Sequence, residues 1–125
     1  MATMTHGIGW FEIGTDAPEP VEQFYGTLFG WQFASSPTSG PTYRVITTPA
    51  KDSIQGGLYR ADERQPKSAI FCVEVADVEA TCTAAREAGG TVLIEPQTTP
   101  DGLVFADLLD PAGNLFGIYT PPAGS

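Results

Sequence analysis

Three carboxylates lie inside segments that otherwise alternate like apolar β-strands. Glu12 lies in "FEIGTD", Glu74 in "CVEVAD" and Asp107 in "VFADLL". A carboxyl group that is desolvated between apolar walls can move a proton at neutral pH, and two such groups placed together can divide the acid and base roles. These three residues are therefore the candidate catalytic residues. The alternative is that they face solvent on the open side of a half-buried sheet.

The residues around these carboxylates are typical of a small-ligand pocket. Side chains alternate between the two faces of a strand, so Trp10 shares a face with Glu12, and Tyr119 lies on the corresponding face of the last strand. A face that mixes aromatic side chains with a few acids can bind a cationic aromatic compound by stacking and charge. The candidate ligand-binding residues are Trp10, Tyr43, Gln55, Cys72, Phe105, Gly117 and Tyr119, and Trp31 is a further aromatic candidate.

Gly117 interrupts the final apolar strand of "DPAGNLFGIY". A glycine inside a strand weakens it and marks a close approach to the backbone or a missing side chain. The alternation places Gly117 on the same face as Tyr119. We therefore expect Gly117→Glu to fill a pocket and block binding while the domain stays folded.

The elements that position these residues occur in two similar halves. Each half has a strand, an aspartate, a helical segment, a glycine and further strands. Asp16 is the expected cap of the first helix, which ends at Gly30, and Asp77 begins the second, which ends at Gly89 and Gly90. The predicted strands cover 8–13, 31–35, 42–48, 54–60, 69–75, 91–95, 102–109 and 114–119. Phe11, Ile13, Phe71, Val73, Val75, Val104, Ala106, Leu108, Phe116 and Ile118 are predicted to face the helices.

The length of 125 residues predicts one domain over 1–125, with a first module over about 6–60, a linker over 61–67 and a second module over about 68–120. A net charge of −9 with six basic residues argues against nucleic acid. The chain has no apolar run of membrane-spanning length and no basic leader, so no membrane association is expected. Cys72 and Cys82 are expected to be buried thiols of a cytoplasmic protein.

Three motifs in order, "FEIGTDAPEPVEQFYGTLFGW", "FCVEVADVEATCTAAREAGG" and "FADLLDPAGNLFGIY", resemble the vicinal oxygen chelate superfamily, which includes glyoxalase I, bleomycin-resistance proteins and extradiol dioxygenases. The resemblance covers nearly all of the chain. It implies an α+β fold in which two βαβββ modules form a cup-shaped mixed sheet. It also implies that two modules complete each pocket, and that the protein is a homodimer.

Members of this superfamily that use a metal hold a divalent cation with His, Glu or Gln on the first and last strands of each module. The matching positions here are Ile8 (with Trp10 as its neighbour), the stretch 55–57, Ile70 and Gly117, and only Gln55 carries a donor atom. We therefore expect no metal and no cofactor. Two alternatives stay open: a weak carboxylate site for Mg²⁺ or Ca²⁺ between Glu12 and Glu74, and His6 as a ligand.

These observations favour a protein that binds a small aromatic or natural-product-like molecule without a metal. The alternative is a metal-independent enzyme of isomerase, cyclase or lyase type that uses Glu12, Glu74 or Asp107 as acid or base. A metal-dependent lyase or dioxygenase and a structural interaction module are the weaker hypotheses. The sequence leaves open whether the protein is an enzyme.

Overall fold

The computed structural model describes residues 5–36, 42–63 and 67–122. The elements, in chain order, are β1 (Ile8–Thr15), α1 (Pro18–Phe29), β2 (Gln32–Ser35), β3 (Arg44–Thr47), β4 (Gly56–Arg60), β5 (Ser68–Glu74), α2 (Val78–Glu87), β6 (Thr91–Thr98), β7 (Val104–Leu109) and β8 (Leu115–Thr120). This order is βαβββ twice over, so the predicted fold class is confirmed. Every predicted strand and both helices are present, and their ends differ from the prediction by three residues or fewer.

The chain divides into two compact units. One unit comprises Trp10–Ala69, and the other comprises Met1–Gly9 together with Ile70–Ser125. Residues 5–9 therefore group with the second module, although the sequence pattern assigns 6–9 to the first. Residues 64–66 of the predicted linker lie outside the described residues.

The unit of Trp10–Ala69 contains four strands in the order β2-β3-β4-β1, and α1 packs on one face of them. β1 runs parallel to β4, and the other two pairs are antiparallel. Ile13, Ile46 and Leu58 form the core of this unit. The partly buried hydrophobic residues packed on that core are Phe11, Val21, Tyr25, Trp31 and Phe33. Phe11 and Ile13 therefore face the helix, as predicted.

The prediction that Trp31 joins the ligand-binding aromatic residues is wrong. Its indole stacks on the ring of Tyr25 with centroids 5.0 Å apart and an interplanar angle of 8°. Trp31 follows α1 directly, so its side chain packs back against the helix and the core. Burying this large ring there stabilises the unit more than leaving it on an open face would.

Asp16 does not cap α1, contrary to the prediction. The N-cap is Ala17, which has no side-chain bond, and its N–H donates to Thr15 Oγ1 at 3.0 Å. Asp16 is exposed and lies 3.8 Å from the ammonium group of Lys67. The N3 position is Pro20, which has no N–H, so one of the two backbone donors that a capping side chain uses is missing. At the other end Gly30 stops the helix in the left-handed conformation (φ +73°), as predicted.

One ion pair holds α1 to the sheet. The Arg44 guanidinium contacts both carboxylate oxygens of Glu22, Nε at 3.0 Å and Nη2 at 3.2 Å. No residue of α1 is buried, and Phe24, Leu28 and Phe29 each expose more than half of their surface. The bidentate pair therefore supplies orientation that the loosely packed helix lacks.

The other unit has its strands in the order β5-β8-β7-β6 and is covered by α2. Asp77 caps α2 by accepting from Ala80 N at 3.0 Å, as predicted. The core of this unit is formed by Val75, Val78, Cys82, Ala106, Leu108 and Ile118, with Val73, Ala85, Val92, Val104 and Phe116 packed against it. The predicted helix-facing side is thus confirmed. Phe71 lies on this side too, where it stacks on the Phe116 ring with centroids 6.0 Å apart, but it stays 48% exposed and does not join the core.

β6 is longer than predicted. It continues to Thr98 and pairs with β7 through two register shifts, between Val92 and Ile94 and between Ile94 and Gln97. β6 is an edge strand, and its second register shift includes Pro96, so the proline occupies a position where a strand can lack an N–H donor.

Neither Cys72 nor Cys82 forms a disulfide, and both thiols are buried, as predicted. Burial raises the pKa of the Cys82 thiol, with the negative charges of Glu95 and Glu79 adding to the rise and Arg86 opposing it. Cys82 is therefore a packing residue of the α2 core and not a reactive thiol. Neither helix in the described ranges has the length and apolar character needed to cross a bilayer.

Candidate functional site

Three predicted site residues of the first module form one hydrogen-bonded chain. Trp10 Nε1 donates to Tyr43 Oη at 3.0 Å, and Tyr43 Oη donates to Glu12 Oε2 at 2.9 Å. Trp10 and Glu12 lie on β1, whereas Tyr43 lies just before β3. The three side chains are only partly buried, so a fixed indole, a phenol and a carboxylate are presented together on the face opposite the helix.

A glycine makes this chain of hydrogen bonds possible. Gly57 of β4 is the register partner of Glu12, and a Cβ atom on Gly57 would overlap the Tyr43 hydroxyl and the ring carbon that carries it. Tyr43 reaches β1 by crossing β4 over this bare position. Sequence reasoning missed the role of Gly57, although a glycine inside a strand pattern signals a close approach of this kind.

Gln55 is not joined to this set. Its Oε1 accepts from Thr48 N at 2.6 Å, and its Nε2 donates to the Ser53 carbonyl at 3.3 Å. Both ends of the amide therefore brace the loop before β4. We leave Gln55 out of the site proposed below.

The predicted site residues of the second module form two rows across three adjacent strands. In the first row Cys72 of β5 pairs with Gly117 of β8, which pairs with Asp107 of β7. In the second row, two residues further along, the register partners are Glu74, Tyr119 and Phe105. Because residues two apart share a face, all six side-chain positions point to the side opposite α2.

Tyr119 and Glu74 form a second tyrosine–glutamate pair. Burial is the largest cause that raises the pKa of the Tyr119 phenol, and the negative charge of Glu74, the neighbouring Cys72 and a hydrogen bond to Glu74 raise it further. Tyr119 is therefore a neutral proton donor across the physiological range. A side chain at Gly9 would overlap its hydroxyl, so a glycine again leaves room for a tyrosine.

Gly117 lies between two buried polar side chains. Asp107 is 4% exposed and Cys72 is 6% exposed, and a Cβ atom on Gly117 would lie 3.0 Å from Cys72 Sγ and 3.5 Å from Asp107 Oδ1. The expectation that Gly117→Glu leaves the domain folded does not survive this geometry. The new side chain would press on the Cys72 thiol and place a second carboxylate beside the buried Asp107.

The positions that match the superfamily's metal ligands do not fit a metal. Ile8, Ile70 and Gly117 have no donor atom, and the space over Gly57 is filled by Tyr43. Among the described residues no group of three or more His, Cys, Asp or Glu side chains is close enough to hold a metal ion. His6 is exposed, and its backbone N–H donates to the carbonyl of Glu74.

A shallow groove of about 460 Å³ lies along α1, lined by Pro20, Gln23, Phe24, Thr27 and Leu28. It contains none of the predicted site residues and no ionisable group. The groove therefore contains none of the groups that the sequence marks as candidates for catalysis or binding.

Both the order of the elements and the sequence assign the chain to a family. The sequence model of the Glyoxalase/Bleomycin resistance protein/Dioxygenase superfamily matches residues 7–118, so the chain belongs to this superfamily. One relative is the glyoxylase-named protein CFP32 of Mycobacterium tuberculosis (strain CDC 1551 / Oshkosh). It is 33% identical to this chain over 125 residues. That match covers 96% of this chain and 47% of the relative.

A second relative is the anthracycline biosynthesis protein DnrV of Streptomyces peucetius, which is 34% identical over 114 residues, 89% of this chain and 40% of that protein. The chain thus spans less than half the length of these two relatives. A methylmalonyl-CoA epimerase structure from Streptomyces coelicolor, in complex with 2-nitronate-propionyl-CoA, superposes with a TM-score of 0.65 at 18% identity. The superposition covers 98% of this chain and 100% of the epimerase chain. At 18% identity the similarity concerns the fold alone.

Proposed function

We propose that this protein binds small aromatic or natural-product-like molecules without a metal, on the strand face of a module opposite its helix. This face carries Trp10 and Glu12 in one module and Tyr119 and Glu74 in the other. The observation that carries this proposal is the chain of hydrogen bonds from Trp10 through Tyr43 to Glu12. It fixes a large aromatic ring and a carboxylate before any ligand arrives. Pre-organised groups of this kind lower the entropy lost on binding.

The chemistry of the face indicates an aromatic ligand with a positively charged or N–H group. An indole ring offers stacking area, and a carboxylate beside it favours a cation. The net charge of −9 attracts such a ligand over a longer range. Two relatives are named for anthracycline biosynthesis, which makes aromatic polyketides the first compounds to test.

The absence of donor atoms at three of the superfamily's four ligand positions supports the metal-free part of the proposal, and at the fourth the Gln55 amide is engaged by Thr48 and Ser53. Ile8, Ile70 and Gly117 offer no oxygen or imidazole, and hard divalent metals need such ligands. Metal analysis of the purified protein tests this part directly. A divalent ion retained at one per chain after dialysis would overturn it.

Calorimetry with two matched compounds tests the binding proposal. One is an anthracycline with a protonated amino sugar, and the other is its N-acetylated, neutral form. We expect the charged compound to bind, and we expect Glu12→Gln to weaken its binding about tenfold, which corresponds to ~1.4 kcal/mol, because a charge-assisted contact is lost.

The control for this experiment is Glu95→Gln. Glu95 is exposed and pairs with Arg86 at 2.8 Å. Its substitution by Gln removes the same unit of charge as Glu12→Gln, but away from the proposed site. Equal weakening by Glu12→Gln and Glu95→Gln would show that only the net charge matters. If neither compound binds the unaltered protein, the binding proposal for this class of ligand fails.

A metal-independent acid–base enzyme of isomerase, cyclase or lyase type is the second candidate function. The supporting observation is the neutral Tyr119 phenol beside the Glu74 carboxylate, in the row next to the buried Asp107. A phenol and a carboxylate so placed can act as acid and base on one substrate. Turnover that survives Glu12→Gln, Glu74→Gln and Asp107→Asn would exclude this role for all three.

The cellular setting and assembly are part of the same proposal. We expect a cytoplasmic protein that has no nucleic-acid partner, on the basis of its charge and buried thiols. The homodimer is implied by the family resemblance.

A further inference from the structure

Both modules direct a tyrosine hydroxyl at the glutamate of their first strand, and they do so by different routes. Glu12 in "FEIGTD" and Glu74 in "CVEVAD" occupy matching places in the two modules. In the second module the tyrosine is the direct neighbour of the glutamate, because Tyr119 of β8 is the register partner of Glu74. In the first module the register partner of Glu12 is Gly57, which has no side chain to offer.

Tyr43 takes the place that a side chain at Gly57 would occupy. Any Cβ atom on Gly57 would overlap its phenol group, so the glycine and the tyrosine are two parts of one arrangement. The neighbouring Gly56 has a different role, because a Cβ atom there would meet the Phe11 ring at 2.6 Å on the helix side of the sheet. The tyrosine–glutamate contact is thus made in the first module by a residue just before β3, and in the second module by a residue of its last strand.

The direction of the hydrogen bonds is fixed by the donors. The indole N–H of Trp10 can only donate, so Tyr43 Oη accepts it and has its single proton left for Glu12. In the second module burial and the charge of Glu74 keep the Tyr119 phenol protonated, so it too can donate.

We propose that Tyr43 and Tyr119 are positioning residues, each of which holds the glutamate of its module as an oriented carboxylate for a protonated amine or other N–H donor of the ligand. This inference rests on the proposed function and names the ligand group that the carboxylates recognise. It assigns to Gly57 the task of admitting Tyr43. It also predicts that the tyrosines determine selectivity for charge and not affinity in general.

The arrangement itself can be tested on the free protein. The chain has two tryptophans, so the indole N–H resonances of Trp10 and Trp31 are easily assigned by NMR. Trp31 serves as an internal reference for the changes at Tyr43 and Gly57, and because its ring lies 5.4 Å from that of Phe11 it reports on the change at Gly56. Tyr43→Phe and Gly57→Ala should both shift the Trp10 resonance, because each separates the indole from its acceptor. Gly56→Ala should leave the Trp10 resonance in place while it disturbs the Phe11 side of the sheet. An unshifted Trp10 resonance in Gly57→Ala would overturn the role given to Gly57.

The positioning role is tested with the charged anthracycline and its neutral N-acetyl form. In Tyr43→Phe and in Tyr119→Phe the ratio of the two affinities should fall about fivefold or more, with the neutral compound little affected. A tyrosine with a merely structural role would weaken both compounds equally and leave the ratio unchanged, which would overturn the inference. Failure of the unaltered protein to bind either compound contradicts the proposed function instead, and leaves the NMR result to decide whether the arrangement exists.

Discussion

Glycines inside strands determine what the site-bearing faces can hold. Gly57 and Gly9 each leave room for a tyrosine hydroxyl that a side chain would displace. Gly117 differs from them, because its neighbours are the thiol of Cys72 and the carboxylate of Asp107 and no aromatic ring. Glycine thus makes room for a tyrosine at Gly57 and Gly9, whereas at Gly117 it lies between two buried polar groups.

Substitution of Gly117 is predicted to destabilise the protein. Gly117→Ala brings a methyl group to 3.0 Å from Cys72 Sγ, and the surrounding strands leave the thiol little room to move. We expect the free energy of unfolding to fall by about 1–3 kcal/mol, the usual cost of overpacking a filled core. For Gly117→Glu the free energy of unfolding should fall further, because this variant adds a carboxylate beside the buried Asp107. Urea denaturation followed by circular dichroism gives both values.

Gly26→Ala is the matched control for this measurement. Gly26 lies within α1, and a Cβ atom there meets only the Trp31 carbonyl at 3.4 Å. Alanine is the better helix former by about 0.8–1 kcal/mol, so this variant should be as stable as the unaltered protein or more so. If Gly117→Ala were equally harmless, the packing argument around Gly117 would be wrong.

The turn that joins β7 to β8 aligns the strands of the second module. Asp110 Oδ1 accepts from Ala112 N and Asn114 N at 2.9 Å each, and Gly113 supplies the positive φ (+89°) that the turn requires. These hydrogen bonds, with that to Asn114 first, lower the pKa of Asp110. The turn therefore sets the register that places Gly117 beside Asp107 and Tyr119 beside Phe105.

Asp110→Asn should destabilise the protein in a pH-dependent way. The carboxyl pKa is lower in the folded state than in the unfolded state, so its stabilising effect is present above the unfolded value of about 3.8–3.9 and is lost as pH falls through the folded value. The stability difference between the two proteins should be constant near neutral pH and shrink below pH 4. Chemical denaturation at a series of pH values measures it. A difference that stays constant down to pH 2 would contradict the charged role of Asp110.

At the scale of the whole molecule, two surface properties bear on assembly. The net charge of −9 favours solubility and opposes self-association at long range. Phe24, Leu28 and Phe29 nevertheless expose 57%, 55% and 53% of their surface on one helix. Exposed apolar residues clustered on one element are typical of a surface that another protein covers, and the proposed occupant is the second copy of this chain.

The homodimer proposal predicts that Leu28→Glu shifts the association equilibrium towards the monomer. A charge placed at the centre of an apolar contact is desolvated without a partner, so the dissociation constant should rise about tenfold or more. Sedimentation equilibrium over a range of concentrations measures it. Leu93→Glu is the control, since Leu93 is 41% exposed on β6 of the other unit. A protein that is monomeric at all concentrations would contradict the proposal outright.

Much of the fold was predictable from local patterns. Alternation in "FCVEV" and "FADLL" fixed both the strands and the side that faces the helices, because a one-residue slip would turn every apolar side chain to the wrong face. Asp77 and Gly30 marked helix ends by their capping chemistry. The prediction that Asp16 caps α1 was wrong because the N-cap position falls one residue later, at Ala17. Residue type alone does not define where the backbone enters the helix.

The sequence by itself determined the superfamily, the two βαβββ modules and the face on which the candidate residues within strands lie, since all of these depend on short-range order and periodicity. Only the tertiary structure decided which side chains meet across strands. Tyr43 and Gly57 are 14 positions apart, and nothing local shows that one passes over the other to reach Glu12. The packing of Trp31 on Tyr25 and the burial of Gly117 between a thiol and a carboxylate were likewise decided by competition for space within the fold.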